Sequence, residues 1–163
     1  LLSFITNAQK IKASESMQPK ISGFNETEQA NLAKGLAAGR ELCLTLSGHH
    51  KGPPSAELLD QVFKKWAAKP VGDRIPAAEV ASGLGSLFGE LIRVDFGFIW
   101  QMIEDQYGTE PALIDENTGS VIFPVNAVWK RIEPELDTAP FFRPMYESIA
   151  SHLEKVRVGQ GMA

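Results

Sequence analysis

Apolar residues recur at helical spacing over most of this chain and change period once, near its middle. Leu32, Leu36, Cys43 and Leu46 fall on one side of a helix. Asn25 with Glu28 three residues later forms a capping-box start, and Gly48 is the stop. After Ser55, the residues Leu59, Val62, Phe63 and Trp66 mark a second helix that ends at Lys69-Pro70. Pro76 suits the first turn of a third helix, striped by Val80, Leu84, Leu87, Phe88 and Leu91. Gly83, Gly85 and Gly89 interrupt this helix. Each costs about 1 kcal/mol relative to alanine there, which points to close backbone approach by a neighbouring element.

The period then shortens. Phe98 to Ile103 reads as a strand apolar on both faces, and Tyr107-Gly108 turns it. Ala112-Leu113-Ile114 and Val121-Ile122-Phe123 follow as two more strands, joined by the turn-rich Asp115-Glu116-Asn117-Thr118-Gly119. Pro124 opens a helix bearing Val125, Val128, Trp129 and Ile132. A last helix gathers Met145, Ile149, Leu153 and Val156. The expected fold is α+β: N-terminal helices, a small three-stranded antiparallel meander, then C-terminal helices. Residues 1–25 are expected to be an arm, with a short helix over Phe4, Ala8 and Ile11 and a loose connector. Residues 26–158 form one domain, helical over 26–93, sheet over 96–123 and helical over 124–157.

Composition narrows the functional classes. A length of 163 residues with 44% hydrophobic and 22% charged residues suits a single globular domain. The net charge of −4 disfavours a nucleic-acid binder held by overall basic charge. No apolar run approaches the roughly 18 residues of a membrane helix. The opening Leu1-Leu2-Ser3-Phe4-Ile5 lacks a methionine and is too short, and then too polar, for an intact signal peptide. With the single cysteine Cys43, this sets the expectation of a reducing, cytoplasmic setting, a removed leader being compatible with it. Cys43 lies on the apolar stripe and reads as a buried packing residue.

Charge is uneven along the chain. Residues 1–80 carry a net charge of +2 and residues 81–163 a net charge of −6. Between Glu90 and Asp137 ten acids face three bases. Such a surface gives solubility and can also steer a basic partner.

No catalytic constellation assembles. Gly83-x-Gly85-x-x-x-Gly89 lies inside a helix that precedes the first strand, whereas a dinucleotide loop follows a strand. Asp115-x-Asn117-x-Gly119 lacks a calcium loop's glycine at the sixth position and acid at the twelfth. His49 and His50 are adjacent and diverge, and His152 stands alone, so neither a metal nor a cofactor is expected. Glu104 and Asp105 point to opposite faces of a strand, while Asp105 and Asp115 flank one hairpin and are candidates to meet across it. Glu133 is placed to pair with Lys130 at i, i+3. The candidate partner-binding residues are Trp100, Glu104, Asp105, Asp115, Glu116, Trp129, Lys130 and Arg131, with the tryptophans as anchors.

An ordered set of short motifs carries a resemblance. Leu84-Gly85, Phe88-Gly89, Gly97, Trp100, Asp105-x-Tyr107-Gly108, Ala112-Leu113, Phe123-Pro124 and Lys130-Arg131-Ile132-Glu133 occur in series. Over roughly residues 76–155 the chain resembles the bacterial family known as domain of unknown function family 3806. The family's Gly-Glu-like residues after the Arg-Ile-Glu segment are replaced here by Pro134-Glu135, so a different exit from that helix is expected. The resemblance implies a small α+β domain without an established activity. Proteins of this general size and element order also occur among bacterial toxin-neutralising immunity proteins, an analogy only. The expected function is a non-enzymatic bacterial protein-interaction domain, an immunity-type inhibitor of a basic toxin being its most concrete form. The alternative is an enzyme or small-ligand binder with a site between the glycine-marked helix and the sheet. Oligomeric state is not legible.

Overall fold

The computed structural model describes residues 18–160. The short helix expected over Phe4, Ala8 and Ile11 lies outside the described residues. The elements in chain order are β1 (Lys20–Ser22), α1 (Glu26–Ser47), α2 (Ala56–Ala68), a 3-10 turn (Val71–Asp73), α3 (Ala77–Phe96), β2 (Ile99–Asp105), β3 (Gly108–Ile114), β4 (Val121–Ile122), α4 (Pro124–Ile132) and α5 (Phe142–Gly159).

Local chemistry sets most boundaries. At the start of α1 the Asn25 N–H donates to Glu28 Oε2 (2.7 Å) and the Glu28 N–H donates to Asn25 Oδ1 (2.9 Å), a complete capping box. Its end at Gly48 uses the left-handed conformation, with φ of 66°, that glycine adopts without penalty. Ser55 Oγ accepts from the Leu58 N–H to begin α2, and Pro124 occupies the first turn of α4.

The sheet has four strands, in the order β1-β2-β3-β4 and antiparallel throughout. Three were expected. The added strand, Lys20–Ser22, comes from the stretch read as a connector. It pairs with β2 at Lys20↔Glu104, Ile21↔Ile103 and Ser22↔Met102. All three of its residues are exposed. It is therefore held by backbone pairing at a sheet edge and leaves no hydrophobic pattern to read. β3 also begins earlier than its apolar run, at Gly108, and takes in Pro111. β4 reaches only Leu113 and Ile114, so Pro111 lies where β3 has a free edge that tolerates a missing N–H.

One core joins the helices to one face of the sheet. Leu59, Val62, Leu84, Phe88, Ile92, Phe142 and Ile149 pack with Phe98, Leu113 and Ile122. Cys43 is buried in it, and burial pushes its thiol up to about 11. Alternation along the strands puts Trp100, Met102, Leu113 and Ile122 on this inner face and Ile99, Ile103, Ala112 and Ile114 on the outer one. Ile103 and Ala112, at 5% and 0% exposure, are buried without belonging to the helical core, while Ile21 and Ile99 beside them are 55% and 39% exposed.

α3 is the hub. Gly39 on α1 and Gly83 on α3 meet backbone to backbone: a Cβ on Gly83 would lie 2.9 Å from the Gly39 nitrogen. A Cβ on Gly85 would lie 2.7 Å from Val125 Cα at the start of α4. The close approach expected of the glycines is thus made to two different elements. At the far end, Asp60 on α2 holds the start of α5, accepting the N–H groups of Phe141 (2.7 Å), Phe142 (2.8 Å) and Arg143 (3.0 Å).

Candidate functional site

Where the inner face of the sheet leaves the helical core, a partly open cleft of about 220 Å3 separates α1, α3 and the strands. Phe24 and Leu32 line it at the start of the chain's first helix, Trp100, Met102 and Pro111 line it from the sheet, and Val125 lines it from α4. Four polar side chains also line it: Glu28 and Asn31 from α1, Ser82 and Ser86 from α3. The two serines are four residues apart and share a helix face. Ser86 is buried against Gly35 of α1, where a Cβ would overlap its hydroxyl.

Trp100 is the central wall. Its six-membered ring packs on Gly89, where only the absence of a side chain leaves room for Cζ2 and Cη2. Its Nε1–H donates to Glu90 Oε2 at 3.3 Å, and its rings lie 5.9 Å from Phe24, tilted by 40°. Glu90 is held in turn by Arg93, whose NH2 group lies 2.6 Å from Glu90 Oε1. The bond from Arg93 keeps the Glu90 carboxyl below its ordinary range against the opposing effect of partial burial, and the bond from Trp100 adds to it.

Of the eight residues singled out in the sequence, Trp100 alone lines this cleft. Glu104 is exposed on the same sheet face, two positions beyond Met102. Asp105 accepts the Tyr107 N–H (2.8 Å) and shapes the β2–β3 turn. Asp115, only 6% exposed, accepts the Thr118 hydroxyl (2.6 Å) and the Asn117 N–H (3.2 Å), and its backbone closes the β3–β4 turn at Gly119 and Ser120. Glu116 is exposed on that turn.

Asp105 and Asp115 do not meet. In the register Asp105 faces Gly108 and Ile99 faces Ile114, so the two acids stand at opposite ends of the hairpin, on the order of 20 Å apart at the strand rise. An antiparallel turn brings together residues equidistant from it, and these two are not.

Trp129 is half-buried against the core and Lys130 exposed. Arg131 lies over the Phe141 ring, 4.8 Å from its centroid, and donates to Asp137 Oδ2 at 2.5 Å. Asp137 is held below the ordinary carboxylate range first by the Ala139 N–H and then by Arg131. The expected Lys130–Glu133 pair is not formed. α4 ends at Ile132, Glu133 is extended, and the helical i, i+3 relation is lost, the chain leaving through a cis Glu133–Pro134 peptide.

The sequence reading missed Phe24, Glu28, Asn31, Ser82, Ser86, Met102, Pro111 and Val125 as walls of one site. The available signal was Ser82 and Ser86 at i, i+4 among the glycines of α3, two hydroxyls in the stretch from Val80 to Gly89 that is otherwise small or apolar. Among the described residues no group of three or more His, Cys, Asp or Glu side chains is arranged to hold a metal ion, and no helix is long and apolar enough to cross a membrane. His49 and His50 are taken up by their own loop, facing the carbonyls of Gly52 (3.2 Å) and Gly48 (3.0 Å).

Comparison with known proteins bears on this architecture. No curated protein matches the sequence. A protein of Bacteroides thetaiotaomicron VPI-5482, known from a crystal structure at 1.50 Å resolution, is similar in fold, with a TM-score of 0.66 at 14% identity. The likeness covers 85% of this chain and 49% of that one, so the chain spans about half the length of that protein. Residues 56–142 match the family described as Domain of unknown function (DUF3806). The match starts upstream of the expected 76–155, taking in all of α2, and stops at the first residue of α5. It includes the glycines of α3, the β2–β3–β4 meander and α4, more than half of the chain: the protein belongs to the DUF3806 family.

Proposed function

We propose that this domain is a binding module for a small, mainly apolar molecule held in the cleft between α1, α3 and the inner face of the sheet. The observation that carries the reading is the lining itself. Six apolar residues, two of them aromatic, surround four polar side chains contributed by two helices. Ligand sites combine apolar walls with a few placed polar groups in this way. At about 220 Å3 the cleft is smaller than the roughly 300–1,000 Å3 of drug-sized sites, so its occupant is correspondingly small.

The indole N–H signals test this in a 1H–15N titration with 2-phenylethanol, a neutral compound of suitable size. The Trp100 signal is expected to move. The Trp66 signal, whose Nε1–H is fixed to the Ile75 carbonyl at 2.9 Å, is expected to stay. A Trp100 signal unmoved by this compound and by a panel of small aliphatic and aromatic alcohols defeats the reading.

A second reading rests on a separate observation. Glu104, Glu116, Glu133 and Glu135 are exposed, and no hydrogen bond or ion pair to a described residue engages their carboxylates. This supports a non-enzymatic protein-interaction role in which the acidic second half steers a basic partner, an immunity-type inhibitor of a basic toxin being the concrete case. Titration against the product of the adjacent gene is expected to show affinity that falls with salt. Absence of binding at low salt, or affinity indifferent to salt, removes it.

A further inference from the structure

We propose that the cleft selects an apolar body bearing one positive charge, an alkyl- or arylammonium, over a carboxylate of the same skeleton. This rests on the reading of the cleft as a ligand site. Glu28 is the sole charged side chain among the ten that line it, and no lysine, arginine or histidine is present to receive an anion. Glu28 uses Oε2 to accept the Asn25 N–H, while no described residue bonds its Oε1. A half-buried carboxylate beside apolar walls repels a second anion and attracts a cation, more strongly than it would in open water. Trp100 and Phe24, both lining the cleft, add the attraction of ring faces for an ammonium group.

One feature nearby acts in the opposite sense. The N-terminus of α1 carries partial positive charge and free helix N–H groups are anion sites. Here the capping box has taken that role: Asn25 Oδ1 receives the Glu28 N–H, and the Glu28 carboxylate itself sits over the terminus. The field of the helix end is thus partly answered from within, and the free oxygen of Glu28 remains the group a ligand meets.

Calorimetric titration of the full chain with 2-phenylethylammonium, 2-phenylethanol and phenylacetate tests the selection. The ammonium is expected to bind about tenfold more tightly than phenylacetate, with the alcohol between them. Glu28→Gln keeps an acceptor for the Asn25 N–H and removes only the charge, so it is expected to bring the ammonium and phenylacetate affinities together. Met102→Trp, which fills the cleft from its sheet wall, is expected to abolish binding of all three. Equal affinities in the wild-type protein, tighter phenylacetate binding, or a preference that survives Glu28→Gln overturn the proposal while leaving the cleft as a ligand site. Failure of all three compounds, or binding that survives Met102→Trp, overturns both.

Discussion

α3 meets its two large neighbours in opposite ways. Against α1 the contact is glycine on glycine, Gly39 on Gly83, and the backbones touch without intervening side chains. Against the sheet the contact is glycine on tryptophan: Gly89 admits the Trp100 ring, which props the strand away from the helix and leaves the cleft beside it. Both contacts depend on a missing side chain. One uses the space to bring main chains together and the other to seat a large ring. A glycine in a buried helix therefore does not say whether its neighbour is near or far; the size of the partner residue decides it.

The comparison breaks most visibly at Gly39. A Cβ there meets Leu87 Cγ at 2.6 Å and the Gly83 carbonyl oxygen closer still, so neither backbone can yield without separating the helices. Gly39→Ala is expected to lose about 3 kcal/mol of stability in urea denaturation, the upper end for overpacking. A loss below that of Gly89→Ala would show that the α1–α3 contact is not the tighter one. Gly89→Ala is expected to cost about 1 kcal/mol, because the groups it meets are side chains, Pro124 and the Trp100 ring, and the ring borders the cleft. It also pushes Trp100 toward the cleft and is expected to weaken 2-phenylethanol binding, which titration measures.

The smallest effect concerns the Glu90–Arg93 pair that fixes the Trp100 indole. The folded pKa of Glu90 lies below its ordinary value near 4.5. Its contribution to stability is thus fully present above that value and is lost as pH falls through the folded pKa. Melting temperature followed from about pH 6 to pH 3 is expected to fall less steeply for Glu90→Gln than for the wild-type protein. The difference is modest, as for partly exposed pairs in general. An unchanged slope would mean that this pair does not anchor the tryptophan.

What the sequence made legible was what neighbours in sequence decide. The Asn25–Glu28 cap, the Gly48 stop, the turns at Tyr107-Gly108 and Asp115 to Gly119, and Pro124 opening a helix all involve groups within a few residues of one another. So does the burial of Cys43, set by the stripe it belongs to. What stayed hidden was built from distant pieces. β1 is three exposed residues that pair through their backbone with a strand about eighty positions later, and such pairing has no hydrophobic signature. The cleft joins Phe24, Glu28, Asn31 and Leu32 to residues of α3, the sheet and α4, and no spacing rule connects them. The DUF3806 match begins at Ala56, so half of the cleft's polar lining, Glu28 and Asn31, lies outside the stretch that defines the family.

The Asp60 carboxylate has a kinetic consequence. It ties α2 to three successive N–H groups more than eighty residues later, closing a loop that spans α3, the sheet and α4. A link across so long a stretch of chain carries a closure entropy that local turns avoid, and it is expected to form after them. A bond made late in folding is broken early in escape from the native state. Asp60→Ala is therefore expected to quicken unfolding severalfold and to leave the refolding rate nearly untouched. Stopped-flow measurement of both rates decides it; a slowed refolding limb would place the contact in the nucleus instead. On this view Asp60 works as a clasp on the lifetime of the fold: it holds α5, with the Phe142 and Ile149 it brings to the core, against elements that nearer contacts have already assembled.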